Sequence, residues 1–183
     1  MEDLEREKKQ GFDWDYMADV LEKKAAAARY LLPGFGLGAA LFAFTARTVI
    51  RELGEEQGEA LLKKAIEDFG KARGRRIAAI VKDLGLPLTL KNWLIYSDID
   101  SVNFDPHPDL DNNDLVVKAG ECTFWNTARE FGLGDYARIY CKYADYAILE
   151  GYNPDIKLVL NDRHHLGHPD YCLFRYIMKE SNK

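Results

Sequence analysis

The stretch from Glu55 to Leu84 limits the possible folds more than any other part of the chain. Leu62, Ala65, Ile66, Phe69, Ile77, Ile80 and Leu84 recur there at helical spacing, so it reads as the longest helix with one apolar stripe. Gly85 fits a helix terminator, and Pro87 blocks continuation. Gly58, Gly70 and Gly74 interrupt the pattern, and each interior glycine costs about 1 kcal/mol relative to alanine. Two explanations stand open: close packing against another helix, or the approach of a ligand or of another backbone.

The other elements are read around this one. Asp13 or Asp15 can cap a first helix through Met17, Val20, Leu21 and Ala28, which Leu31-Leu32-Pro33-Gly34 stops. Residues 1–12 carry mixed charges and are expected to be frayed and flexible. A second helix is predicted over 38–53, and a short one over 89–95. SDIDSVNFDPHPDLDNND, residues 97–114, has two prolines and many acidic or amide residues and reads as a long loop. The segment from Leu115 into Thr123 reads as a strand, Trp125 to Phe131 as a helical turn or two, and 135–150 as a helix ended by Gly151 and Asn153-Pro154. Residues 156–161 and 171–178 read as strands joined through a loop over His164 to Asp170. The expectation is one α+β domain over 1–183, with N-terminal helices packed on a small, mainly antiparallel sheet and one late helix in the C-terminal half.

Composition excludes some function classes. The chain has 183 residues, 30% of them charged, and a net charge of −5, so it has no general pull toward nucleic acid or anionic lipid. The N-terminus is charged and lacks the apolar run of a secretory signal. The three cysteines are an odd count and cannot all pair within the chain. Together these favour free thiols in a reducing cytoplasm. Tyr30 to Ile50 is apolar, but Pro33, its glycines and Arg47 argue against a membrane span and for a PGFG loop followed by a buried helix. The face around Leu37 to Phe44 also offers a surface for a homo-oligomer.

Cys141 and Asp145 form the sharpest candidate pair. One helical turn brings thiol and carboxylate to the same face. The carboxylate can anchor an amine or carry a proton, but it raises a neighbouring thiol's pKa, so a nucleophilic Cys141 needs a cation or imidazole such as His165, His164 or Arg138. The bland alternative makes Cys141 a packing residue and Asp145 a surface charge. Cys122 and Cys172, on predicted strands, read first as small core residues. The run HHLGH at His164, His165 and His168 can supply a base or a ligand, or be solvated turn material. No CxxC pair occurs, and Asp98, Asp100, Asp105, Asp109 and Asp111 match no calcium loop and read as solvating a loop, so no metal or cofactor is expected. Lys71, Arg73, Arg75 and Arg76 read as a salt-bridged helix face, from which one arginine turned inward could hold a substrate carboxylate.

The order Cys122, Gly132/Gly134, Cys141, Asp145, Gly151, Asn153-Pro154, Gly167, Cys172, Phe174 resembles the L-2-amino-thiazoline-4-carboxylic acid hydrolase family. GEEQGEALLKKAIEDFGKARGRRIA looks like that family's glycine-punctuated long helix, and the likeness covers about 45–178. The family's Gly-Asp-x-x-Cys-x-Phe ending reads here as Gly167-His168-Pro169-Asp170-Tyr171-Cys172-Leu173-Phe174, with altered spacing. The resemblance implies a hydrolase that acts on a non-peptide carbon–nitrogen bond of a small cyclic amidine such as 2-amino-thiazoline-4-carboxylate. On this reading Cys141 is the nucleophile and Asp145 the proton carrier or amidine anchor. Asn153 and His165 help bind substrate, and Cys122 and Cys172 line the pocket. A more distant likeness to 4-vinyl-reductase domains implies a non-catalytic module that binds a small molecule.

Overall fold

The computed structural model describes residues 2–30, 34–161 and 170–177. In chain order the elements are α1 (Glu2–Gln10), α2 (Trp14–Ala26), α3 (Phe35–Leu53), α4 (Glu55–Asp83), α5 (Leu90–Tyr96), β1 (Pro106–Asp111), β2 (Asp114–Ala119), α6 (Thr123–Glu130), α7 (Gly134–Tyr152), β3 (Lys157–Asn161) and β4 (Cys172–Ile177). The fold is α+β, with a four-stranded sheet in the order β1-β2-β4-β3 and every neighbouring pair antiparallel.

The interior glycines of α4 answer the question they raised. A Cβ on Gly70 would lie 2.7 Å from Ala147 Cβ, and one on Gly74 would lie 2.0 Å from the Ile148 carbonyl oxygen. The approach is mutual, because a Cβ on Gly151 of α7 would lie 2.4 Å from the Lys71 carbonyl oxygen. Gly58 plays the same part against α3, where its Cβ would meet Ile50 Cα at 3.0 Å. Backbone therefore meets backbone along α4, and the main core forms around this crossing from Ile66, Ile77, Val81, Ile148, Leu149 and Tyr152. A smaller core joins Ala39 and Ala43 of α3 to Phe124 and Ala128 of α6.

The expected loop over 97–114 contains β1. Composition hid it, because β1 is an edge strand that is largely exposed and need not donate along its outer side, so it tolerates Pro106 and Pro108. Asn112 and Asn113 take positive φ (51° and 67°) and make the two-residue turn into β2. Arg175 of β4 ties this hairpin down by bonding Asp114 at 2.7 Å and also pairing with Asp111. The strand expected to run into Thr123 stops at Ala119, and α6 begins at Thr123. The strands expected over 156–161 and 171–178 appear as β3 and β4, while their connection lies outside the described residues.

The charged N-terminal stretch, where fraying was expected, forms α1. Glu7 is fully buried and accepts hydrogen bonds from Leu90 N (2.6 Å), Lys91 N (2.7 Å) and Tyr16 Oη (2.9 Å). It thus satisfies amides at the start of α5, where Thr89 Oγ1 accepts from Asn92 N at 3.1 Å. Burial outweighs these bonds and pushes the Glu7 carboxyl up to about 7. The helix expected to be buried after the PGFG segment is instead two-faced: Ala39, Ala43 and Ala46 are buried, whereas Leu37 and Leu41 are 78% and 69% exposed. Among the described residues no helix is long and apolar enough to cross a membrane.

Gly74→Ala should force α4 and α7 apart and cost about 3 kcal/mol or more in urea unfolding, at the upper end of core overpacking. Glu7→Ala should cost about 2–4 kcal/mol by orphaning the buried Leu90 and Lys91 amides, read in the same way.

Candidate functional site

Arg73 is on the buried stripe of α4, beside the glycines that draw α7 close. Its Nε donates to Asp98 Oδ2 at 2.9 Å and its Nη2 to Asp98 Oδ1 at 2.5 Å, while Nη1 donates to Tyr140 Oη at 2.7 Å. Arg73 and Asp98 are 7% and 1% exposed, so the pair is closed off from water. Burial opposes the charge on Arg73, but Asp98 overcomes it and the guanidinium pKa ends above its ordinary value. This corrects two expectations. Asp98 is not a solvating loop residue, and Arg73 leaves the salt-bridged surface face to hold a carboxylate of the protein itself.

Asp145 faces this pair from α7, one turn after Cys141. The residue keeps some exposed surface, yet dense surroundings push its carboxyl up to about 6, and the nearby Arg73 charge offsets this only in part. No hydrogen bond to its carboxylate occurs among the described residues. Two phenols share its field. Burial raises Tyr140 to about 12, with Arg73 lowering it and Asp145 raising it. Burial and Asp145 both raise Tyr176 of β4, which pairs with Leu115 and Leu158 in the sheet. A carboxyl near 6 can exchange a proton close to neutral pH.

The remaining site candidates fall on separate elements. Cys141 is partly buried, and its thiol lies 3.9 Å from the Ala137 carbonyl oxygen. Cys122, expected on a strand, caps α6 instead, with its sulfur accepting from Trp125 N at 3.4 Å. Cys172 opens β4 opposite Ala119. None of the three is in a disulfide. Asn153 is built into the end of α7: its Nδ2 donates to Leu88 O at 2.6 Å and its Oδ1 accepts from Asp155 N at 3.0 Å. His165, with His164 and His168, lies outside the described residues. Among the described residues no group of three or more His, Cys, Asp or Glu could hold a metal ion.

A cavity of about 350 Å³ opens between α3, α4, α6 and α7. Phe42, Ile66, Phe69 and Phe124 line it together with Arg73 and Tyr140, while Cys141 and Asp145 are not on its wall. Phe124 stacks on Tyr140 with centroids 4.7 Å apart. Sequence reading missed Asp98, Tyr140 and the cavity. The signal for Arg73 was present, since 66, 70, 73 and 77 fall on one helical face.

The fold and site define an α+β protein in which the α4–α7 crossing shelters a buried arginine–carboxylate pair, Arg73 and Asp98, next to the Asp145 carboxyl. The chain matches L-2-amino-thiazoline-4-carboxylic acid hydrolase over residues 35–176 and belongs to that family. No curated protein and no solved structure gives a significant match.

Asp98→Ala should strand the Arg73 charge in the interior and lower stability by about 3–5 kcal/mol in denaturant unfolding. Asp145 has a folded pKa above its ordinary 3.8, so ionising it opposes folding, and its share of stability falls as pH rises from about 4 to about 6. Asp145→Asn should remove that share and leave the protein more stable at pH 7.5 by roughly 2–3 kcal/mol. Melting curves of both proteins at pH 4 and 7.5 check the difference; a pH effect of the same sign and comparable size remains in both from Glu7.

Proposed function

We propose that the protein is a hydrolase acting on a small cyclic amidine such as 2-amino-thiazoline-4-carboxylate, with Asp145 as its proton carrier and Cys141 as its nucleophile. Family membership over 35–176 supports the reaction class. The observation that carries the chemistry is the Asp145 carboxyl near 6, one helical turn from the Cys141 thiol, which is not in a disulfide.

The reaction needs attack at the amidine carbon, donors for the tetrahedral intermediate and a proton for the leaving atom. As a carboxylate, Asp145 takes the Cys141 thiol proton as the sulfur bonds the amidine carbon, and gives it to the departing ring nitrogen or sulfur; water then attacks the same carbon, the carbon–Cys141 bond breaks, and the thiol is re-formed with a proton from that water. Arg73 and Asp98 hold Tyr140 in place at the edge of this region. The working form of Asp145 is the carboxylate, so the rate should rise with pH through about 6 and level off above it.

The test is to incubate the protein with 2-amino-thiazoline-4-carboxylate and follow by mass spectrometry a product heavier by one water. Cys141→Ser and Asp145→Asn should each lower turnover at least 100-fold while the fold persists. Wild-type turnover in Cys141→Ser would remove covalent catalysis, and no turnover by the parent protein would remove this substrate. The alternative, a non-catalytic small-molecule-binding module, draws support from the apolar cavity on the α3 side of Tyr140.

A further inference from the structure

The cavity between α3, α4, α6 and α7 has a chemistry different from that of the Cys141 and Asp145 region. Among the described residues its polar side chains are Arg73 and Tyr140, and the rest of its wall is hydrocarbon or glycine. Two independent features point to an occupant.

The first is Gly38, which is exposed on the cavity wall within α3. It has no positive φ, and a Cβ built there would meet no atom of the described residues within 4 Å. Gly70 and Gly74 are required by a neighbouring backbone, whereas among the described residues no packing contact requires Gly38. Yet helical glycine costs up to about 1 kcal/mol relative to alanine. A side chain at Gly38 would narrow the opening, so the glycine keeps the cavity accessible.

The second is the Tyr140 hydroxyl. It accepts from Arg73 Nη1 at 2.7 Å, and its own proton has no acceptor among the described residues. Tyr140 is partly buried and lines the cavity, so its proton is directed to whatever occupies that space, and an acceptor on a bound molecule would take it up. Asp98 already balances the Arg73 charge. A carboxylate or ammonium entering the cavity would therefore lose hydration without gaining a counter-charge.

We propose that this cavity binds an uncharged, largely apolar molecule bearing one hydrogen-bond acceptor. The hydrocarbon body lies between Phe42, Phe69 and Phe124, and the acceptor receives the Tyr140 Oη proton. The volume of about 350 Å³ is at the small end of ligand sites and suits a bicyclic ring. The site does not depend on the hydrolysis assigned to Cys141 and Asp145. Binding is read without turnover, so either assignment can fail alone.

The test is calorimetric titration with 2-acetylnaphthalene, naphthalene and 2-naphthoate. 2-Acetylnaphthalene should bind about five- to tenfold tighter than naphthalene, the difference being one hydrogen bond, and 2-naphthoate should be the weakest. Tyr140→Phe should erase the preference for the acetyl group. Gly38→Phe should weaken both neutral probes at least tenfold with its melting temperature unchanged or raised. If Tyr140→Phe does not fold, the comparison of the probes on the parent protein still decides the polar half. Absence of saturable binding, equal affinity for the two neutral probes, or undiminished binding to Gly38→Phe would overturn the proposal.

Discussion

Gly70, Gly74 and Gly151 allow two long helices to approach until backbone touches backbone, and the rest of the molecule is arranged around that contact. A methyl group at Gly74 would enter the carbonyl of Ile148. Because the helices meet there, Arg73 points into protein instead of water, and Asp98 must follow to compensate its charge. Tyr140 completes the guanidinium's bonding, and Asp145 is left beside this assembly with surroundings that disfavour its ionised form. The burial that comes with this close crossing raises the Asp145 carboxyl to about 6, against the pull of the Arg73 charge.

The ends of the same helices are held by a second buried carboxylate. Glu7 reaches from α1 to the first amides of α5, and Tyr152 Oη donates to Thr89 O at 2.8 Å just before them. Asn153 bonds Leu88 O in the same segment. The end of α7 and the N-terminal helix therefore meet at one short stretch of chain, 88–91. The amide of Asn153 is engaged with backbone on both sides.

Much of this was legible in the sequence, for identifiable reasons. The apolar stripe and interior glycines of α4 marked a long helix, and the helix read over 135–150 is α7, which runs on through Gly151 to Tyr152. Those features are local and periodic. Arg73 was grouped with Lys71, Arg75 and Arg76 by adjacency in sequence, although its helical position placed it with Ile66 and Ile77. β1 escaped because two prolines and its acidic residues are tolerable only at a sheet edge, and edge position depends on the whole topology. Glu7 escaped because its partners Leu90 and Lys91 are more than 80 residues away. The cavity was not readable either, since Phe42, Phe69, Phe124 and Tyr140 come from four helices.

Asp145 can carry a proton near neutral pH only if burial holds its carboxyl well above the ordinary range. Carbon-13 NMR of aspartate carboxyls, with the Asp145 signal assigned by its loss in Asp145→Asn, measures that directly across pH 3 to 8. A midpoint near 6 is the expected result. A midpoint at or below the ordinary 3.8 would mean that the α4–α7 crossing leaves Asp145 a common surface carboxylate, and the proposed proton carrier would be lost.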